Sequence, residues 1–271
     1  MRTVRYEEML PHETVAARTA KPVAYLPLGI LEWHGEHCAV GLDGVKAHEL
    51  CIRAARRGGG VCMPVQFWGE DRETNVHDRN FDPKGKLADA MGLPHGFMAP
   101  GHMNGHVVSY QLLLHHMLYQ IKSLGFNVIF MLYGHYPLVY DAQPVAKEFM
   151  EANPGMRVYA GMESDPIRDA FPESEHEEFL RPFHDKHAGK WETSILRTLR
   201  PELVDLSQIP PEPGSTIVSI IDPECDIDVA EDPRCDDLDE YGAKITAKVI
   251  EAMNIICDRM LAELQEEAAQ G

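Results

Sequence analysis

The stretch Asn127-Val128-Ile129-Phe130-Met131-Leu132-Tyr133 constrains the fold most. After Asn127 every residue is apolar or aromatic. A strand with one wet face alternates polar and apolar side chains, whereas a parallel strand covered on both faces reads as a continuous apolar run. Gly125 and Gly134 bound the run, so it is a short strand. It falls far below the roughly 20 apolar residues that a membrane helix needs.

Shorter segments of the same kind precede and follow it. Val23-Ala24-Tyr25-Leu26, Val61-Cys62-Met63-Pro64-Val65 and Arg157-Val158-Tyr159-Ala160 read as strands. Helical patterns stand between them. They cover residues 7–20, 44–57, 107–124, 143–152, 191–199 and 241–269. In the last, Ile245, Val249, Met253, Ile256 and Met260 share one side. Strands alternating with helices predict an α/β fold built on a mostly parallel sheet flanked by helices. No linker or repeat interrupts the pattern, which predicts a single domain over residues 1–271.

Two stretches, 66–106 and 207–240, read as irregular. A loop as long as the first is usually an active-site wall or a subunit contact. The acidic segment 163–186 reads as a solvated face or lid.

The formal net charge of −18 argues against nucleic-acid or anionic-membrane partners. The six cysteines form no CxxC pair and suit reduced thiols. The first residues hold no apolar signal core. The expected location is the cytoplasm, and the expected partner is a small-molecule substrate.

The chemistry centres on Leu26 to His37, closed by Asp43. If Leu31 to His34 continues as a strand, Glu32 and His34 emerge on one face. Gly35 and Gly41 then let the chain turn Asp43 back toward them. Two carboxylates and an imidazole converging at a strand end form the start of a divalent-metal site. His135 stands at a second strand end, where open parallel sheets place their ligands. A third group runs from His184 to Glu192, in which Glu192 falls in the first turn of a helix. A glutamate there also serves simply to offset the helix dipole. His95, His102 and His106 read as loop histidines rather than ligands.

These residues resemble the creatininase (creatinine amidohydrolase) family. The opening motif P-x-G-x-x-E-x-H-G-x-H-x-x-x-x-x-D stands here as Pro27, Gly29, Glu32, His34, Gly35, His37 and Asp43. Pro94 to Gly101, Gly125-Phe126 to Gly134-His135, His187-Ala188-Gly189 and Glu192-Thr193-Ser194 resemble its later blocks. The resemblance implies an α/β/α hydrolase with one or two divalent transition metals: zinc, manganese or iron. It places Glu32 and His135 on one metal, His34 on the other and Asp43 between them. It implies that His187 faces the substrate, either to protonate the leaving nitrogen or to stabilise the developing oxyanion. His37, Tyr136 and Trp33 are the candidate substrate-side residues: His37 to orient a ligand or serve structure, Tyr136 to hydrogen-bond substrate or pack, Trp33 as pocket wall or core. A homo-oligomer, often a hexamer, is expected. The implied reaction is attack by a metal-bound hydroxide on a cyclic amide or other non-peptide C–N bond. A lyase, isomerase or hydrolase of a sugar-like carbonyl compound, or a non-catalytic assembly protein, are the alternatives.

One departure stands out. After Gly-His, creatininase has Tyr-Glu-Asn, and that Glu binds the second metal. Here Tyr136-Pro137-Leu138 follows His135, and proline cannot ligate. Glu192 is the residue expected to fill the vacancy. The same departure argues against creatinine as substrate.

Overall fold

The computed structural model describes residues 2–31, 34–35, 37–68, 109–180, 185, 188–209 and 232–270. Four parallel strands form its sheet: β1 (Val23–Leu28), β2 (Val61–Cys62), β3 (Val128–Tyr133) and β4 (Arg157–Gly161), in the order β2-β1-β3-β4. The register pairs Val23 with Val128 and Leu28 with Tyr133, so β1 and β3 end side by side. From β1 the chain moves outward to β2, then returns to place β3 on the other side of β1. The switch in direction lies between β1 and β3. Open α/β sheets bind ligands at such a point, beyond the carboxyl ends of the strands.

Alternation along the strands splits the core into two layers. Val23, Tyr25, Val128, Phe130 and Leu132 face one side. There they meet α2 (Leu42–Gly58), α7 (Lys190–Leu199) and α8 (Leu238–Gln270). Ala24, Leu26, Leu28, Ile129, Met131 and Tyr133 face the other. They pack on α1 (Pro11–Ala20), α3 (Ser109–Ser123) and α4 (Val139–Ala152). β1 and β3 are buried along their whole length, as the continuous apolar run requires.

Three expectations need correction or refinement. β1 stops at Leu28 and does not run on through His34. At Gly29 a β-carbon would stand 2.2 Å from the backbone nitrogen of Gly44, so the chain there lies flat against the start of α2 and leaves the sheet. Helix α2 begins at Leu42, which puts Asp43 inside its first turn. The segment after β4 is also more than a solvated face. Glu173, Glu177 and Glu178 are exposed, but Glu163 is buried. Two short helices, α5 (Asp165–Ala170) and α6 (His176–Phe179), carry this segment over α8. There Lys248 pairs with Glu175 at 2.7 Å and Lys244 pairs with Glu178.

Candidate metal centre

The site gathers at the switch point. His34 comes from the connection after β1, His135 from the residue after Gly134 at the end of β3, and Asp43 from the first turn of α2. All three are buried. Asp43 Oδ1 lies 3.2 Å from His34 Nε2, and Asp43 Oδ2 lies 3.4 Å from His135 Nδ1. The helix N-terminus favours a carboxylate at this position. Burial works against the Asp43 charge, but the His34 and His135 rings outweigh it and hold its carboxyl well below the usual aspartate range.

Glu192 enters from the first turn of α7. One donor atom each of His34, Asp43 and Glu192 lies within 4.8 Å of the other two. Glu192 Oε2 accepts a 2.6 Å hydrogen bond from the backbone N–H of Ala188. Ala188 has φ of 57°, a left-handed conformation that costs an alanine roughly 1–2 kcal/mol. Asp185 holds the same turn, its Oδ2 accepting from the N–H of Trp191 at 2.6 Å.

These residues fit a divalent ion. Both oxygens of the buried Asp43 carboxylate lack a hydrogen bond of ordinary geometry, yet each faces an imidazole nitrogen. Buried carboxylates are normally satisfied by donors, and a cation held here by the carboxylate and imidazoles would supply the missing partner. Two carboxylates with imidazoles suit zinc, manganese or iron better than calcium.

Of the residues singled out in the sequence, His34, Asp43, His135 and Glu192 come together. Glu32, Trp33 and His187 lie outside the described residues, as do His95, His102 and His106. Tyr136 is 59 % exposed and stands edge-on to Tyr140, with ring centroids 6.2 Å apart. It lines a cavity of about 530 Å³ beside the ends of β3 and β4, together with Tyr133, Gln143, Tyr159, Arg168 and Asp185. His37 is buried and reaches α7 instead, its Nε2 lying 3.0 Å from Thr193 Oγ1. Because the Thr193 hydroxyl donates to the Ala188 carbonyl at 3.0 Å, the His37 ring donates to Thr193.

Two charged residues escaped the sequence reading. Lys46 lies one turn after Asp43 on α2 and has no solvent exposure. Its Nζ sits 3.0 Å from Glu163 Oε1 and 3.8 Å from Glu192 Oε1. Burial disfavours its ammonium, but Glu163, Glu192 and Asp43 prevail and raise its pKa above the ordinary lysine value. The signals were available: Lys46 is i+3 to Asp43 and so shares its face, and Glu163 follows a strand end just as His135 does.

The fold and this donor set define an α/β protein with a candidate divalent-cation site at the carboxyl edge of its sheet. A family model described as creatinine amidohydrolase matches residues 7–253. The chain belongs to that family, the creatininases, which are metal-dependent amidohydrolases. A creatinine amidohydrolase from Pseudomonas putida is 25% identical over 208 residues, 72% of this chain and 70% of that protein. A crystal structure of creatinine amidohydrolase superposes with a TM-score of 0.67 at 19% identity, covering 97% of this chain and 99% of that one. A single-residue variant of creatininase described as of Zn–Zn type gives 0.65 at 19% identity, with the same coverage. At these identities the structures establish the shared fold.

Proposed function

We propose that the chain is a metal-dependent hydrolase of a non-peptide C–N bond, such as a cyclic amide, in a small molecule. The observation that carries this reading is the convergence of His34, Asp43 and Glu192, with His135 on the second oxygen of Asp43. Glu192 and His34 would hold one ion, His135 and Glu32 a second, and Asp43 would bridge them. Zinc, manganese or iron bound there supplies a Lewis acid for the scissile carbonyl and lowers the pKa of a coordinated water toward ~7. The Zn–Zn form of a relative supports two ions.

The protein's own groups do the rest. Asp43 presents one oxygen to each imidazole and stays ionised. The Ala188 N–H fixes one oxygen of Glu192 and leaves the other turned inward. Tyr136 stands at the cavity rim to hydrogen-bond the substrate, and His187 donates a proton to the leaving nitrogen. All of this is carried by one domain. The chain acts in the cytoplasm as a homo-oligomer.

A second reading has its own observation. The cavity beside the strand ends is lined by Gln143, Ser164, Asp165, Arg168 and Asp169 around three tyrosines. Such a lining suits a polyhydroxylated, sugar-like carbonyl compound. The test is a screen of protein loaded with Zn²⁺, Mn²⁺ or Fe²⁺ against lactams, formamides and keto-sugars, with Asp43→Ala as control. Turnover of lactams or formamides that Asp43→Ala abolishes supports the first reading. Turnover confined to keto-sugars selects the second. Absence of stoichiometric transition metal refutes both.

A further inference from the structure

We propose that Lys46 and Glu163 are positioning residues that lock Glu192 toward the metal corner it shares with His34 and Asp43. This rests on the reading that Glu192 is a ligand. A lysine with no exposed surface is costly to bury unless its charge is matched. Here the match is lopsided. Glu163 Oε1 lies 3.0 Å from the ammonium, and Glu192 Oε1 stands farther off at 3.8 Å. Glu163 is as buried as Lys46, and among the described residues it does not belong to the converging donors. Its role is therefore with Lys46.

The arrangement explains why both charges are needed. Glu192 Oε2 accepts from the Ala188 N–H, and the Lys46 ammonium faces the other oxygen, Oε1. Contacts on opposite oxygens restrict how the carboxylate can turn. An unmatched ammonium so close would also repel a dication and claim Glu192 for itself. Glu163 cancels the charge while leaving the contact in place. One helix, α2, carries both the bridging Asp43 and the clamp, so the two are fixed relative to each other. Groups that orient ligands in this way typically contribute about 10–100-fold to metal affinity.

The test uses metal-free full-length protein titrated with Zn²⁺ and separately with Mn²⁺, followed by calorimetry, with bound metal counted by mass spectrometry. Glu192→Gln identifies the ion that depends on that carboxylate, and His135→Ala identifies the other. The double variant Lys46→Met/Glu163→Gln removes both buried charges at nearly constant shape. It is expected to weaken the Glu192-dependent ion about 10–100-fold and leave the His135-dependent ion unchanged. A purely structural role would weaken both ions or neither. If the double variant fails to fold, Glu163→Gln alone decides the matter. The ammonium, no longer neutralised, should draw Glu192 away and weaken the same ion at least about 10-fold. Wild-type affinity for that ion in a folded variant overturns the proposal while leaving the metal reading intact. No ion bound by the wild type overturns the metal reading itself, and this proposal with it.

Discussion

Asp43 stands between two imidazoles, with Oδ1 3.2 Å from His34 Nε2 and Oδ2 3.4 Å from His135 Nδ1. A single carboxylate thus joins the two halves of the site. Asp43→Ala should abolish stoichiometric metal and all turnover. It should also end stabilisation by added metal, which for a site at a hundred times its dissociation constant is worth about 2.7 kcal/mol. Thermal unfolding with and without Zn²⁺ measures this. A metal-dependent rise in Tm in Asp43→Ala equal to that of the wild type would show that the ion is held elsewhere.

How much of this was legible in sequence depends on how far each signal reaches. Val128 to Tyr133 declared a doubly covered strand because that pattern is local. His135 followed from a rule about strand ends. The vacancy at Pro137 pointed to Glu192, and the structure brings that side chain to His34 and Asp43. Two things escaped. The departure of the chain at Gly29 depends on α2 lying against it, which the sequence of β1 does not encode. Lys46 was not singled out and Glu163 fell in a segment read as a solvated face, because their burial arises where α2, α7 and the end of β4 meet.

The tie between His37 and α7 supports stability more than metal affinity. Thr193 Oγ1 accepts from the His37 ring and donates to the Ala188 carbonyl, both at 3.0 Å and both buried. Thr193→Val keeps the shape and removes both bonds. Stranding a buried polar group costs about 1–3 kcal/mol, so the urea midpoint should fall while bound metal per chain stays at the wild-type count. A midpoint equal to wild type would mean that the tie contributes nothing.

Three buried thiols, Cys38, Cys51 and Cys257, give the fold a sensitivity to alkali, because burial raises the pKa of each. Burial pushes Cys38 and Cys257 from 9.0 up to about 12. A group whose pKa is raised on folding contributes stability that is complete below its unfolded value and is lost between the unfolded and folded values. The window therefore opens near pH 9 and extends toward 12. Each pH unit inside it removes about 1.4 kcal/mol per thiol. Denaturant unfolding at pH 8 and pH 10 should show a fall that Cys257→Ala reduces. Equal slopes in wild type and variant would refute the assignment.

The first turn of α2 is seated by the strand ends themselves. A β-carbon on Gly134 would lie 2.2 Å from the carbonyl oxygen of Asp43, and one on Gly29 would lie 2.2 Å from Gly44 N. Both obstacles are backbone, so neither can swing aside. Gly134→Ala must push α2 away from β3 and carry Asp43 from the imidazoles. Overpacking of this kind costs about 1–3 kcal/mol in stability. The larger effect should fall on the site, because a bridging carboxylate displaced by about 1 Å no longer serves both corners. Gly155→Ala is the matched control, since a β-carbon there meets nothing within 4 Å. It should leave metal content and Tm unchanged or raise Tm slightly. Metal content and turnover in Gly134→Ala equal to those of Gly155→Ala would mean that the strand ends do not set the position of Asp43.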